Sequence, residues 1–234
     1  MKRIAYSIFT IMLFIGTTLS ASAQSEQNRS VSGFNSIASS GPFDVHVNIN
    51  GTESVKINAS SDIIDQIETV VEDGKLQIRF KHHSNRDYDN VGKIDVYVTA
   101  KSISALINAG SGSIKVEGTV SGDNVNITLS GSGNISSSVK SGNLHATISG
   151  SGSIHLSGSA SDSKVTISGS GELSGKELKT ESAAVLITGS GNAYISAEKT
   201  ISAHIVGSGN VVYTGSATIT ESKTIGSGSL SKAN

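Results

Sequence analysis

The chain has 234 residues, 18 basic and 19 acidic side chains and a formal charge of −1. It contains no Cys, no Trp and one Pro, against 26 Gly and 44 Ser. Without Cys there is no disulfide framework, thiolate metal centre, Cys nucleophile or Cys-linked lipid anchor, and a near-neutral chain offers no basic surface for nucleic-acid phosphates. Aromatic residues at 4% also give little for base or sugar stacking.

Residues 1–23 read as a secretory signal. Lys2 and Arg3 precede a mostly apolar run over residues 4–15, and Ala21-Ser22-Ala23 supplies the small residues of a cleavage site between Ala23 and Gln24. The apolar run is too short and too interrupted by Ser, Thr and Gly to span a bilayer. No second apolar stretch follows, so the mature chain is expected to have no transmembrane segment. The predicted location is the periplasm, the outer-membrane surface or the extracellular space. Residues 24–234 are expected to form one domain.

Residues 31–100 predict an irregular, β-rich cap. Val45, Val47 and Ile49 alternate with polar residues, Asn50-Gly51 gives a turn signal, and Val55 and Ile57 alternate again, which predicts a hairpin. Ser61-Asp62 ahead of Ile63, Ile64 and Ile67 predicts a short capped helix. Leu76, Ile78 and Phe80, then Ile94, Val96 and Val98, predict further strands, with a polar loop over residues 82–90.

Residues 101–232 repeat. Gly-Ser-Gly recurs with its first Gly at 110, 131, 150, 169, 189, 207 and 226, at spacings of 18 to 21 residues. A fixed period near twenty marks a stacked array. Four residues after the first Gly stand Ile114, Ile135, Ile154, Leu173, Ala193, Val211 and Leu230. Two residues before it stand Leu129, Ile148, Ile167, Ile187 and Ile205, with Asn108 and Thr224 in the terminal copies. Leu106, Ile127, Ala146, Val165, Val185 and Ala203 lie two further back. The inward period is two, hence strands, and a flexible Gly-Ser linker has no reason to keep such columns. Both glycines share the inward parity, so each triplet predicts a corner at which the chain bends around its own interior. The expected fold is all-β, a right-handed parallel β-helix (solenoid) with Gly-Ser-Gly corners every ~19–20 residues.

Val31-Ser32-Gly33-Phe34-Asn35-Ser36-Ile37, Ser40-Gly41-Pro42-Phe43-Asp44-Val45, residues 70–78 and the serial Gly-Ser-Gly-Ser/Asn-Ile units together resemble the head GIN domain family. Its members are described as autotransporter adhesin heads. The resemblance covers about residues 31–230. It implies a secreted or cell-envelope β-helical protein of a Gram-negative bacterium, and it brings no catalytic residue with it.

Candidate chemistry is sparse. His82 and His83, with Asp87 and Asp89 nearby, are too few for a metal site without ligands from elsewhere, and a solvated loop explains them. The acids at 117, 123, 162, 172, 177, 181, 198 and 221 share no column; Asp162 and Glu181 could meet on adjacent coils but have no basic partner in the pattern. Gly-Ser-Gly is no phosphate loop, because a strand follows each copy and the Lys is missing. Nothing calls for a cofactor. One outward pattern is regular: Thr128 and Ser130, Thr147 and Ser149, Thr166 and Ser168, then Thr188, predict two hydroxyl ladders on one face. Small hydroxyl residues suit any solvated strand, but such a face could also hydrogen-bond a glycan or order water. The expected function is a non-catalytic envelope or secreted module that binds a glycan or an envelope protein. The alternatives are a β-helical carbohydrate-active enzyme (lyase or hydrolase) and a purely structural or water/ice-ordering solenoid. The open coil ends are where copies of the chain would associate into a homo-oligomer.

Overall fold

The computed structural model of the chain describes residues 24–81 and 91–233. The expected signal peptide with its cleavage residue Ala23, and the expected polar loop with His82, His83, Asp87 and Asp89, lie outside the described residues; Gln24 opens the first strand. Sixteen strands follow: β1 Gln24–Arg29, β2 Ser36–Ser40, β3 Phe43–Ile49, β4 Ser54–Ser60, β5 Ile67–Glu72, β6 Lys75–Phe80, β7 Ile94–Ala100, β8 Ala105–Gly110, β9 Ser113–Gly131, β10 Asn134–Gly150, β11 Ser153–Gly169, β12 Glu172–Gly189, β13 Asn192–Gly207, β14 Asn210–Thr214, β15 Thr218–Gly226 and β16 Ser229–Lys232. They wind into a parallel β-solenoid of about seven turns.

The repeat stacks as the columns require. β9 to β13 pair in sequence order, all parallel. Ile127, Ala146, Val165, Val185 and Ala203 stand in one line, and Leu129, Ile148, Ile167, Ile187 and Ile205 in the next. All ten are buried. The unequal spacings are absorbed mostly just after the corner, with further shifts between Thr180 and Ser182 and between Ile201 and Ser202. Register shifts fall after the corner, between Ser136 and Ser138, between His155 and Ser157, and between Gly175 and Lys179. From Asn143 to Gly150 the strand keeps strict register with both neighbours.

The corners explain the glycines in a way that differs from the sequence reading. A Cβ on Gly169, whose φ is +117°, would lie 2.5 Å from the carbonyl oxygen of Gly150 in the preceding coil. The obstruction is therefore backbone along the stack, and not the interior. The same carbonyl accepts the Ser170 N–H at 3.0 Å, so the corners are stitched coil to coil. The second glycine does meet the core: a Cβ on Gly171 would lie 2.5 Å from Cγ2 of Ile148 and 2.7 Å from the Gly152 oxygen. The inner Ile of one coil thus fills the space that a missing side chain leaves in the next.

The N-terminal part closes one end of the stack and is woven into it. β2 and β3 form a coil of their own, which pairs in parallel with β8 and β9 on one side and with β6 and β7 on the other. The chain order and the stacking order therefore differ here. β3 and β4 make no hairpin, because β7 lies between them, antiparallel to β4. A hairpin does join β5 and β6, with Glu72 opposite Lys75. Asp73 and Gly74 supply the two positive φ values, 50° and 72°, that a two-residue primed turn needs. The expected short helix is a 3₁₀ turn over Ile64–Gln66 whose N-cap is Ile63, and no side chain caps it. β1 on β4 and β5 on β6 close this end with antiparallel strands. Phe34, Phe43, Ile37 and Leu76 carry the buried core into it.

Candidate binding surface

The predicted hydroxyl ladders exist and are in register. Thr128, Thr147 and Thr166 align coil over coil, as do Ser130, Ser149, Ser168 and Thr188. The Thr column is half-buried and the second column is exposed. Their neighbours on either side in sequence are inward residues, so both columns stand on the outer surface of one parallel face. Among the described residues, no hydroxyl of these seven is taken up by another group of the protein. They are free to bond water or a ligand.

Beyond the hydroxyls the same columns turn apolar. Thr166 aligns with Leu186, and Thr188 with Val206 and then Ile225. Leu186, Val206 and Ile225 are exposed. The column count that reaches Thr188 also reaches these three, but an outward apolar residue has no signature of its own beside an inward one.

The face across the corner carries a second feature that the sequence does not disclose. His46 of β3, Tyr97 of β7 and Lys56 of β4 stand in one outward row. The His46 and Tyr97 rings stack at 4.9 Å, and the Lys56 ammonium lies 5.2 Å from the Tyr97 ring centre on its cross-strand side. Asp95 is buried beneath them and accepts from His46 Nε2 at 3.0 Å and Lys93 Nζ at 2.8 Å. Burial alone would raise its pKa; the bonds from Lys93 and His46 outweigh this and hold the carboxyl below its ordinary range. A group lowered in the folded state stabilises the fold above its unfolded pKa of about 4, and that stability is lost as the pH falls through the folded value. Asp95→Asn is therefore expected to lower the melting temperature at pH 7, by a loss of about 1 kcal/mol, and to flatten the change in melting temperature between pH 5 and pH 3. Thermal melts across that window check both effects.

Asp123, Glu181 and Glu198 line one groove along the coil edge together with Lys140 and Lys179. Glu181 accepts from Lys199 at 2.6 Å. Asp162 acts on the same ammonium, and together the two acids raise the Lys199 pKa, so the basic partner missing from the repeat pattern comes from the next coil. Glu198 accepts from the Ser216 backbone N–H and hydroxyl. Among the described residues, no group of three His, Cys, Asp or Glu side chains is placed to hold a metal, and no helix is long and apolar enough to cross a membrane.

Solved structures share this fold. A putative adhesin from Bacteroides fragilis superposes with a TM-score of 0.82 at 21% identity, over 90% of this chain and 97% of that one. A putative lipid binding protein from Parabacteroides distasonis gives 0.73 at 22%, over 90% and 97%. A putative adhesin from Parabacteroides merdae gives 0.72 at 22%, over 90% and 96%. No functionally curated protein is significantly similar in sequence. Residues 33–217 match the family described as "Putative auto-transporter adhesin, head GIN domain", and the chain belongs to that family.

Proposed function

We propose that the chain is a non-catalytic binding module, exported after cleavage between Ala23 and Gln24 and held at the cell envelope or released, whose hydroxyl face engages a glycan or an envelope protein. The observation that carries this reading is the pair of in-register ladders with no partner among the described residues for any of their seven hydroxyls. Hydroxyls repeated at the coil spacing of about 4.8 Å suit a partner that itself repeats, such as an extended polysaccharide. Each bond would be weak, and a row of them in one plane would act together. The adhesin description of the family supports a binding role. Glycoside cleavage needs two carboxyls set across one bond, whereas Glu181 is held by Lys199 and Glu198 by Ser216.

The test is a glycan array probed with the wild type and with a variant carrying Thr147→Val, Ser149→Ala, Thr166→Val and Ser168→Ala. These changes remove four hydroxyls, and each is expected to shift stability by less than about 0.5 kcal/mol. Capture of the recognised glycan is expected to fall at least about tenfold with the melting temperature nearly unchanged. Equal capture by both proteins would remove the ladder from the binding site.

A further inference from the structure

The two ends of the solenoid differ. Antiparallel strands close the N-terminal end, whereas β15 pairs with β13 alone and leaves its outer edge unpaired. All nine residues of β15 are exposed. Of the five exposed large hydrophobic side chains among the described residues, Leu186, Val206, Ile219 and Ile225 lie on the last coils, and Ile219 and Ile225 are 46% and 57% exposed. Ile219 aligns with buried Ile201 in an inner column. It is open to solvent because no further coil covers it.

We propose that two copies of the chain join tail to tail through β15, paired antiparallel about a two-fold axis at Ser222. An unpaired strand edge is a template for another strand, and a two-fold contact must be self-complementary. The sequence around Ser222 meets that condition: Thr220-Glu221-Ser222-Lys223-Thr224. Antiparallel pairing about Ser222 sets Glu221 of each copy opposite Lys223 of the other, twice over; Thr220 sits at a bulge, and its hydroxyl donates to the Ile201 carbonyl of its own chain. Glu221 and Lys223 follow the outward residues Ser202 and His204 in register, so both lie on the outer side of the joined sheet. Ser222 and Thr224 follow Ala203 and Ile205, so they lie on the inner side. Neither Glu221 nor Lys223 makes an ion pair within its own chain among the described residues. The second copy would also cover Ile219. A head-to-tail arrangement fits less well, because of the two edge strands at the opposite end β1 has no apolar residue and β5, Ile67–Glu72, carries two acids and no base to match Glu221 and Lys223.

Opposite charges across a strand pair stabilise it and like charges disrupt it, so the register can be tested by charge exchange. Sedimentation equilibrium of the purified protein is expected to show a monomer–dimer equilibrium. Glu221→Lys alone, or Lys223→Glu alone, sets like charges opposite at both positions and should weaken the dimer at least about tenfold. Mixing the two single variants should restore a mixed dimer, and the double variant should dimerise like the wild type. Circular dichroism confirms that each variant keeps its β structure, and the mixing arm shows that weakened variants remain competent to pair. A wild type that stays monomeric at high concentration, a dimer indifferent to either single change, or failure of the mixture to recover would each overturn the proposal.

Discussion

Ile167→Asp is expected to leave the chain unfolded. Ile167 is fully buried in the inner column of a middle coil. Its Cγ2 reaches to within 2.5 Å of where a Cβ on Gly191 would lie, so it is seated against the corner of the next coil. An unpaired carboxylate there costs several kcal/mol, against a total stability of about 5–15 kcal/mol for a typical domain. Stacked coils also share the damage, because each buries its apolar side only against its neighbours. Lys164, three residues earlier and exposed, aligns with His145 and Ala184; Lys164→Ala should change stability by less than about 0.5 kcal/mol. Denaturant titration of the two variants separates them. Equal melting would mean that the inward register is wrong.

The corner should be nearly as intolerant, for two different reasons at its two glycines. Gly169→Val meets the Gly150 carbonyl and a φ of +117° that a β-branched residue rarely adopts. Gly171→Val has no such φ, but it drives Cβ against Ile148 and the Gly152 oxygen. Each is expected to cost about 3 kcal/mol or more. Ser170 between them is exposed, and Ser170→Val should stay within about 0.5 kcal/mol. The double variant Gly171→Ala with Ile148→Ala should cost less than the sum of its two single changes, whereas Gly169 faces backbone and has no such partner. Melting temperatures of this set distinguish steric from conformational cost.

The repeat was legible because its physics is periodic. A column such as Val165, Ile167 and Leu173 states both the strand and its inner side, and the following coil restates it. The ladders followed from the same count, since Thr166 and Ser168 can only face away from residues that face in. The N-terminal part resisted because its pairing is not local. Asn50-Gly51 carries a real turn signal, yet β4 pairs with β7, some forty residues on, and the turn only releases the chain from the coil. Asp73-Gly74 is a hairpin turn by the same rule, but a bare Asp-Gly between two apolar runs does not say which of the two turn signals joins paired strands. The buried carboxylate of Asp95 was equally hidden, because its partners His46 and Lys93 come from a distant strand and from the residue just before its own. The glycine pair marks a corner in the sequence, but the carbonyl that forbids a side chain on the first glycine is not legible there, because alternation along one strand says nothing about the backbone of the coil beneath.

The order of the coils also bears on how such a protein can change length in descent. Between β10 and β13 each turn presents the same columns to the turn before and the turn after. A duplicated or deleted unit of some nineteen residues would therefore find its pairing already specified, and the rod would grow or shrink by about 4.8 Å per unit. Both ends would keep their chemistry. The coil of β2 and β3 has no such freedom: it is gripped on one side by strands that come later in the chain and on the other by strands later still. A second copy of it would have nowhere to insert. Reach is thus an adjustable property of this architecture, while the base from which it extends is fixed.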